Sequence, residues 1–172
     1  MLRDDLIKCG AVKFGDFTLT SGKKSKYYVD IKQASTDPWV LKEIARLIAE
    51  RIGGEERIAG VELGAVPIAA AASLASEIPF LIIRKGDRKH GTGKKVEGKF
   101  APGEKVLMVE DVVTTAGSSI EGINTLREAG LVVERVITVV DRQEGGSQAL
   151  DSYGVSLESL VTAAELLEAG GV

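Results

Sequence analysis

The clearest periodic segment of the chain is a helix predicted over residues 37–52. Asp37 is a good N-cap residue, and Pro38 suits the first helical position. The apolar residues that recur at helical spacing are Val40, Leu41, Ile44, Leu47 and Ile48. This spacing predicts an amphipathic helix with one buried face.

Downstream of this helix, short apolar runs alternate with helical segments. The predicted strands are 57–62, 80–84, 106–113 and 133–140, and the predicted helices are 66–77, 117–129, 147–153 and 162–169, the last two flanking a short apolar segment. Continuous β-branched strands that alternate with helices are typical of a parallel sheet covered on both faces. The pattern predicts an α/β fold, a central parallel sheet flanked by helices.

The first 35 residues follow a different pattern. They begin with a helical segment and continue with two short predicted strands, 17–20 and 27–32. We expect one domain over residues 1–172, with residues 1–35 forming a small N-terminal hood on a core of residues 36–172.

Composition narrows the possible functions. The 172 residues carry a net charge of −3, which argues against a generally basic nucleic-acid binder or a membrane-surface protein. The lone Cys9 excludes an internal disulfide, and the lone His90 excludes a zinc centre built on two or three histidines. Residues 66–75 are too short to span a bilayer, and the N-terminus has no secretory apolar segment, so we expect a cytoplasmic protein without nucleic-acid or membrane partners.

The most informative stretch for function is 106–119, VLMVEDVVTTAGSS. Glu110 and Asp111 end an apolar strand, at the sheet edge where open α/β sheets bind ligands. The following TTAGSS segment opens a helix, so its backbone N–H groups and hydroxyls offer an anion site. Carboxylates beside a phosphate cradle suit a sugar phosphate. An ordinary helix cap and a solvated strand end are the alternatives. The chain has no Walker A motif and no convincing dinucleotide-binding glycine motif.

Residues 106–118 resemble the phosphoribosyl pyrophosphate (PRPP) signature of type I phosphoribosyltransferases. The resemblance implies that the two acids hold the ribose hydroxyls and that the loop binds the 5-phosphate. The PRPP-binding residues it implies in this segment are Glu110, Asp111, Val112, Val113, Thr114, Thr115, Ala116, Gly117 and Ser118.

A basic segment, residues 84–99, carries seven lysines or arginines against two acids, a net charge of +5. Its four glycines and lack of periodicity predict a mobile loop able to close over a polyanion. A disordered basic loop and a nucleic-acid patch are the alternatives. The segment resembles the catalytic loop of orotate phosphoribosyltransferases. That resemblance implies pyrophosphate contacts from Arg84, Lys85, Arg88 and His90, and a homodimer in which the loop is shared across the interface.

Two further segments resemble parts of the orotate enzymes. Residues 14–32 are similar to their N-terminal signature, which implies that Tyr27 and Tyr28 lie near orotate; core aromatics of a small sheet are the alternative. Residues 141–146, DRQEGG, are similar to the segment that places Arg142 at the orotate carboxylate, and Thr114 is a further expected orotate contact. A planar guanidinium suits a carboxylate well.

The segment 62–67, ELGAVP, stands where these enzymes have their pyrophosphate loop. The resemblance makes Leu63 and Gly64 the loop residues and the Leu63–Gly64 bond the candidate for a cis peptide, with a plain helix N-terminus as the alternative. Three positions depart from the family pattern: Thr20 and Gly64 stand where lysines are common, and Arg88 replaces the usual loop lysine. Substitutes considered for the missing lysines are Lys23, Lys24, Lys26 and Lys89.

The resemblance implies transfer of a phosphoribosyl group from PRPP to orotate with Mg²⁺ as cofactor. The metal is expected to be held mainly by substrate, so no protein ligand is named. The expected catalytic residues are Lys85, Arg88, His90 and Asp111. A phosphoribosyltransferase for another base and a PRPP-binding regulatory protein of the same fold are the alternatives.

Overall fold

Six strands form a single sheet in the order β5–β4–β3–β6–β7–β8 in the computed structural model, which describes residues 1–86 and 93–172. The strands are β3 Arg57–Val61, β4 Phe80–Ile83, β5 Val96–Glu97, β6 Lys105–Val113, β7 Val132–Asp141 and β8 Ser156–Thr162. All neighbouring pairs are parallel except β4 and β5, which are antiparallel. The predicted α/β class, with a central sheet flanked by helices, is confirmed.

Helices cover both faces of this sheet. They are α1 Leu2–Lys8, α2 Ile31–Ser35, α3 Pro38–Ala49, α4 Ala65–Ser76, α5 Gly117–Glu128, α6 Gly146–Asp151 and α7 Ala163–Gly170. Alternate residues of β6 enter different cores: Leu107 and Val109 pack in one apolar cluster, and Val106 and Met108 in the other. This alternation explains why residues 106–109 are apolar without interruption.

The predicted helix over 37–52 is present as α3, and its start follows from local chemistry. The Asp37 carboxylate accepts the backbone N–H groups of Trp39 and Val40, at 2.9 and 3.2 Å, and Pro38 begins the helix. Val40, Ile44 and Ile48 are buried, as the spacing predicted.

The N-terminal strands were predicted in part. They form a two-stranded antiparallel sheet, β1 Val12–Thr18 and β2 Lys24–Val29, so both start earlier than expected. The predicted C-terminal end of the second strand, residue 32, was wrong, because β2 ends at Val29. Ile31 and Lys32 lie in α2, because the Asp30 side chain accepts the Lys32 N–H and caps that helix.

Two other predictions need correction. The segment 84–99 was expected to lack regular structure, yet Val96–Glu97 pairs with β4. The cis peptide bond is Glu62–Leu63, one bond before the predicted Leu63–Gly64. Within the described residues, none of the helices has the length and apolar character that crossing a membrane requires.

Candidate active site

The carboxyl ends of β3, β6 and β7, three adjacent strands of the sheet, bring together residues from three predicted motifs. Gly64 follows β3, Asp111 lies near the end of β6, and Arg142 follows β7. The Arg142 N–H donates to the Val113 carbonyl at 2.9 Å, which ties the ends of β6 and β7 together. The predicted sheet-edge site is therefore assembled from segments far apart in the sequence.

Glu110 is a buried carboxylic acid inside this edge, with 5% of its surface exposed. The Ser119 hydroxyl donates to its Oε1 at 2.9 Å. The pKa of Glu110 is raised to about 7, mainly by burial; the Ser119 hydrogen bond lowers it, the neighbouring Asp111 charge raises it and the Lys85 charge lowers it. The alternative of a solvated strand end is therefore excluded for Glu110, and Ser119 is a supporting residue that the sequence motifs did not single out.

The segment after β6 has the form of an anion cradle. Thr114 and Thr115 are exposed, Ala116 has the left-handed φ of 67°, and α5 then begins at Gly117 with no side chain capping it. The first N–H groups of α5 therefore point out of the helix beside exposed hydroxyls, as an anion site requires. The Val113 side chain, by contrast, is buried in the core.

Arg142 lies between the sheet edge and the hood. Its guanidinium carbon is 4.8 Å from the centre of the Tyr27 ring, and its side chain is only 10% exposed. Nε lies 2.9 Å from Glu144 Oε1 but outside hydrogen-bonding geometry, so among the described residues no hydrogen bond satisfies this buried donor. Burial raises the pKa of the Tyr27 hydroxyl, partly offset by the Arg142 charge. The arrangement offers a cationic, planar donor for an anionic group.

The family comparison agrees with this geometry. A model of the phosphoribosyl transferase domain matches residues 31–164, which include the sheet edge, the anion cradle and Arg142. The chain belongs to the phosphoribosyltransferase family.

Relatives of this phosphoribosyltransferase include proteins named orotate phosphoribosyltransferase. An orotate phosphoribosyltransferase of Pyrococcus abyssi is 53% identical over 125 residues, which cover 68% of this chain and 69% of the relative. The crystal structure of the Aeropyrum pernix orotate phosphoribosyltransferase matches with a TM-score of 0.88 and 35% identity, covering 99% of this chain and 98% of that one. Leishmania donovani UMP synthase matches with a TM-score of 0.83 and 32% identity, over 97% of this chain and 37% of that one.

The predicted pyrophosphate loop joins β3 to α4. Leu63 is exposed, whereas Gly64 packs against the carboxylate of Asp111. The Glu62 carboxylate accepts the Lys85 N–H at 2.6 Å, which fixes the start of the basic loop beside the pyrophosphate loop. Glu62 is a second supporting residue without a sequence signal of its own.

The basic loop is described at its two ends. Arg84 forms an ion pair with Glu97 at 3.1 Å, and the Lys85 charge acts on Glu110, so both predicted residues stand at the site's margin. Arg88, Lys89 and His90 lie outside the described residues.

Two of the lysines considered as substitutes for the missing family lysines have partners within the hood. Lys24 donates to Thr18 at 2.7 Å and Lys26 pairs with Asp16 at 2.6 Å, both within the hood sheet. Lys32 was missed: it pairs with Asp30 at 2.9 Å, and the Asp111 charge helps to raise its pKa after the larger effect of Asp30. The sequence feature that could have pointed to Lys32 is Asp30, which lies two positions earlier and caps α2. Tyr28, 44% exposed, packs its ring 5.8 Å from Phe17 and lies near Lys32.

Proposed function

We propose that this chain transfers the 5-phosphoribosyl group from PRPP to orotate, giving orotidine 5′-monophosphate and pyrophosphate in pyrimidine biosynthesis. The observation that carries the proposal is the buried Arg142 guanidinium beneath Tyr27, at the same sheet edge as the anion cradle. A phosphoribosyl acceptor with a carboxylate fits this pairing of sites. The similarity to orotate phosphoribosyltransferases supports it.

Different residues bind the phosphate, bind the ribose and stabilise the transition state. The N–H groups at the start of α5 and the Thr114 and Thr115 hydroxyls bind the 5-phosphate, while Glu110 and Asp111 accept hydrogen bonds from the ribose hydroxyls. The transition state is oxocarbenium-like at the ribose, with negative charge growing on pyrophosphate. Lys85 and the loop residues Arg88 and His90 stabilise that charge, so catalysis depends on positioning and electrostatics.

Mg²⁺ is the proposed cofactor. Among residues 1–86 and 93–172, no group of three His, Cys, Asp or Glu side chains is placed to hold a metal ion. The oxygen donors at the site, Glu110 and Asp111, fit an ion that keeps its waters and binds mainly through substrate oxygens. When bound, the ion offsets negative charge on the pyrophosphate.

The direct test is consumption of orotate by the purified chain with PRPP and Mg²⁺. We expect turnover with orotate, loss of turnover when EDTA exceeds the metal, and recovery when Mg²⁺ is restored. Turnover with uracil or a purine but not with orotate would contradict the assigned substrate. If no base reacts although PRPP binds, the chain is a PRPP-binding regulator.

A homodimer is the proposed assembly. An apolar groove of about 1160 Å³ lies between α3 and α4, and the side chains of Trp39 and Leu74 beside it are 79% and 86% exposed. Large exposed apolar surfaces of this kind mark interaction sites. Together with the similarity of the basic loop to one that acts across a dimer, the groove supports a second copy of this chain as its occupant.

A Trp39→Glu variant is expected to be monomeric, because a charge at the centre of an apolar interface is costly to bury. The variant is also expected to lose most of its activity. Light scattering coupled to gel filtration measures the mass. Tyr153→Glu, which alters another exposed aromatic, should leave the dimer intact. A dimeric Trp39→Glu variant would exclude this interface.

Mixing two impaired variants, assayed at an orotate concentration too low for Arg142→Ala to turn over, tests whether the loop is shared. If the loop of one protomer serves its partner's site, Arg88→Ala mixed with Arg142→Ala forms heterodimers with one intact site. Random pairing then restores about a quarter of the activity. No restoration, with subunit exchange shown independently, would place the loop in its own protomer's site. The cytoplasmic location and the absence of nucleic-acid and membrane partners stay predictions from composition.

A further inference from the structure

We propose that Gly64 is a positioning residue for Asp111, an inference that rests on the proposed function. Gly64 has φ −62° and ψ −35°, a helical conformation open to L-residues at little cost. A Cβ atom added there would overlap the Asp111 carboxylate, at both Cγ and Oδ2. In this chain, glycine therefore leaves the space that the Asp111 carboxylate occupies, and the backbone conformation itself does not call for glycine.

The Asp111 carboxylate is fixed from its other side as well. Its Oδ1 accepts the N–H of Val112 at 2.9 Å, while Oδ2 rests against Gly64. The two contacts define the orientation of a half-buried carboxylate that the proposed mechanism directs at a ribose hydroxyl. A side chain at position 64 would have to turn Asp111 away from that orientation.

The start of α4 packs closely on the sheet. Its first turn lies directly on β3, where a Cβ atom added to Gly60 would overlap the Ala65 carbonyl group. The residue before the loop is also anchored, because Glu62 accepts the Lys85 N–H at 2.6 Å. The displacement caused by a side chain at position 64 therefore falls on Asp111.

This packing joins two parts of the PRPP site that are distant in the sequence. The pyrophosphate loop and the ribose-binding carboxylate fit together as one unit, so the spacing between them is set before substrate arrives. PRPP carries both the pyrophosphate and the ribose that these two parts of the site bind. Such preorganisation reduces the cost of ordering the site on binding.

Gly64→Ala tests the inference through a double-mutant cycle with Asp111→Ala. We expect Gly64→Ala to raise the Kd for PRPP with Mg²⁺ about tenfold, the range for a lost hydrogen bond to a charged group. In the Asp111→Ala background, the same change should alter that Kd by less than about twofold, because the overlapping carboxylate is gone. Isothermal titration calorimetry measures the Kd, and thermal unfolding should show an unchanged or slightly raised Tm for Gly64→Ala.

Two outcomes would overturn the inference. One is an unchanged PRPP affinity of Gly64→Ala, and the other is an equal loss of affinity with and without Asp111. The proposed function fails separately: if the unaltered chain binds PRPP but uses another base, the orotate assignment is wrong and the cycle still decides the role of Gly64. If the unaltered chain does not bind PRPP, both are overturned.

Discussion

An Arg142→Ala variant is expected to bind orotate about 100-fold more weakly, while its affinity for PRPP changes little. Removing one partner of a buried, charge-assisted pair costs about 2–5 kcal/mol, because the other charge is left unpaired. The Arg142 side chain is only 10% exposed, and its backbone is tied to Val113, so water and neighbouring segments have little access to replace it. Steady-state kinetics with each substrate varied in turn measure the effect.

Comparison of bases separates recognition of the carboxylate from a general loss of structure. Uracil lacks the carboxylate, so Arg142→Ala should weaken its binding much less than that of orotate. Arg142→Lys keeps the charge but loses the planar pair of donors, and an intermediate loss is expected. Arg3→Ala, whose partner is Asp4 on α1, is a control that should not change either affinity. Equal losses for orotate and uracil would remove Arg142 from carboxylate recognition.

The sheet and its sequence-local features were predictable because their causes lie within a few residues. The capped start of α3 depends on Asp37 and the two residues whose N–H groups it accepts. The strand β6 and the cradle after it appear as an apolar run, two acids and a turn of small residues. By contrast, β5 has two residues, too few for any period to be seen, and it exists because β4 offers an edge.

The contacts that orient the site could not be predicted, because they join segments distant in the sequence. The overlap of a side chain at Gly64 with Asp111 depends on how closely α4 packs on β3, which no local pattern encodes. The same holds for Arg142 and Tyr27, which come from β7 and the hood. The family resemblance supplied Arg142 and Tyr27 as residues near one ligand, but the structure alone places the guanidinium against the ring.

The buried acid Glu110 is expected to make the protein less stable as the pH rises from about 4.5 to above 7. Its pKa is about 7 in the fold, against a usual value of 4.5, so the folded chain binds the proton more tightly than the unfolded chain. The free energy of unfolding therefore falls between these pH values and levels off above the folded pKa, by a total of about 3 kcal/mol. For a chain of this length, such a loss corresponds to about 10 °C in Tm.

A Glu110→Gln variant isolates this contribution. Glutamine can still accept the Ser119 hydroxyl but does not titrate, so the variant should lose the fall in Tm between pH 4.5 and 7, whatever its absolute stability. Asp30, Glu43 and Glu55 have lowered pKa values, so their stabilising effect is lost mainly as the pH falls below about 4.5, at and beyond the lower edge of this window. Parallel Tm profiles for the two proteins would show that Glu110 is not the titrating group.

The ionisation of Glu110 should also change the affinity for PRPP. This affinity should rise with pH, whereas the stability falls. Ribose hydroxyls donate hydrogen bonds, and the ionised carboxylate is the stronger acceptor, so PRPP should bind more tightly as Glu110 loses its proton. By linkage, bound PRPP then lowers the pKa of Glu110 and reduces the loss of stability at high pH. The Kd for PRPP should fall as the pH rises through about 7 in the unaltered chain. It should fall much less in Glu110→Gln, where only the other titrating groups of the complex, those of PRPP included, remain. The difference between the two profiles therefore assigns the proton to Glu110, and identical profiles would assign it to another group.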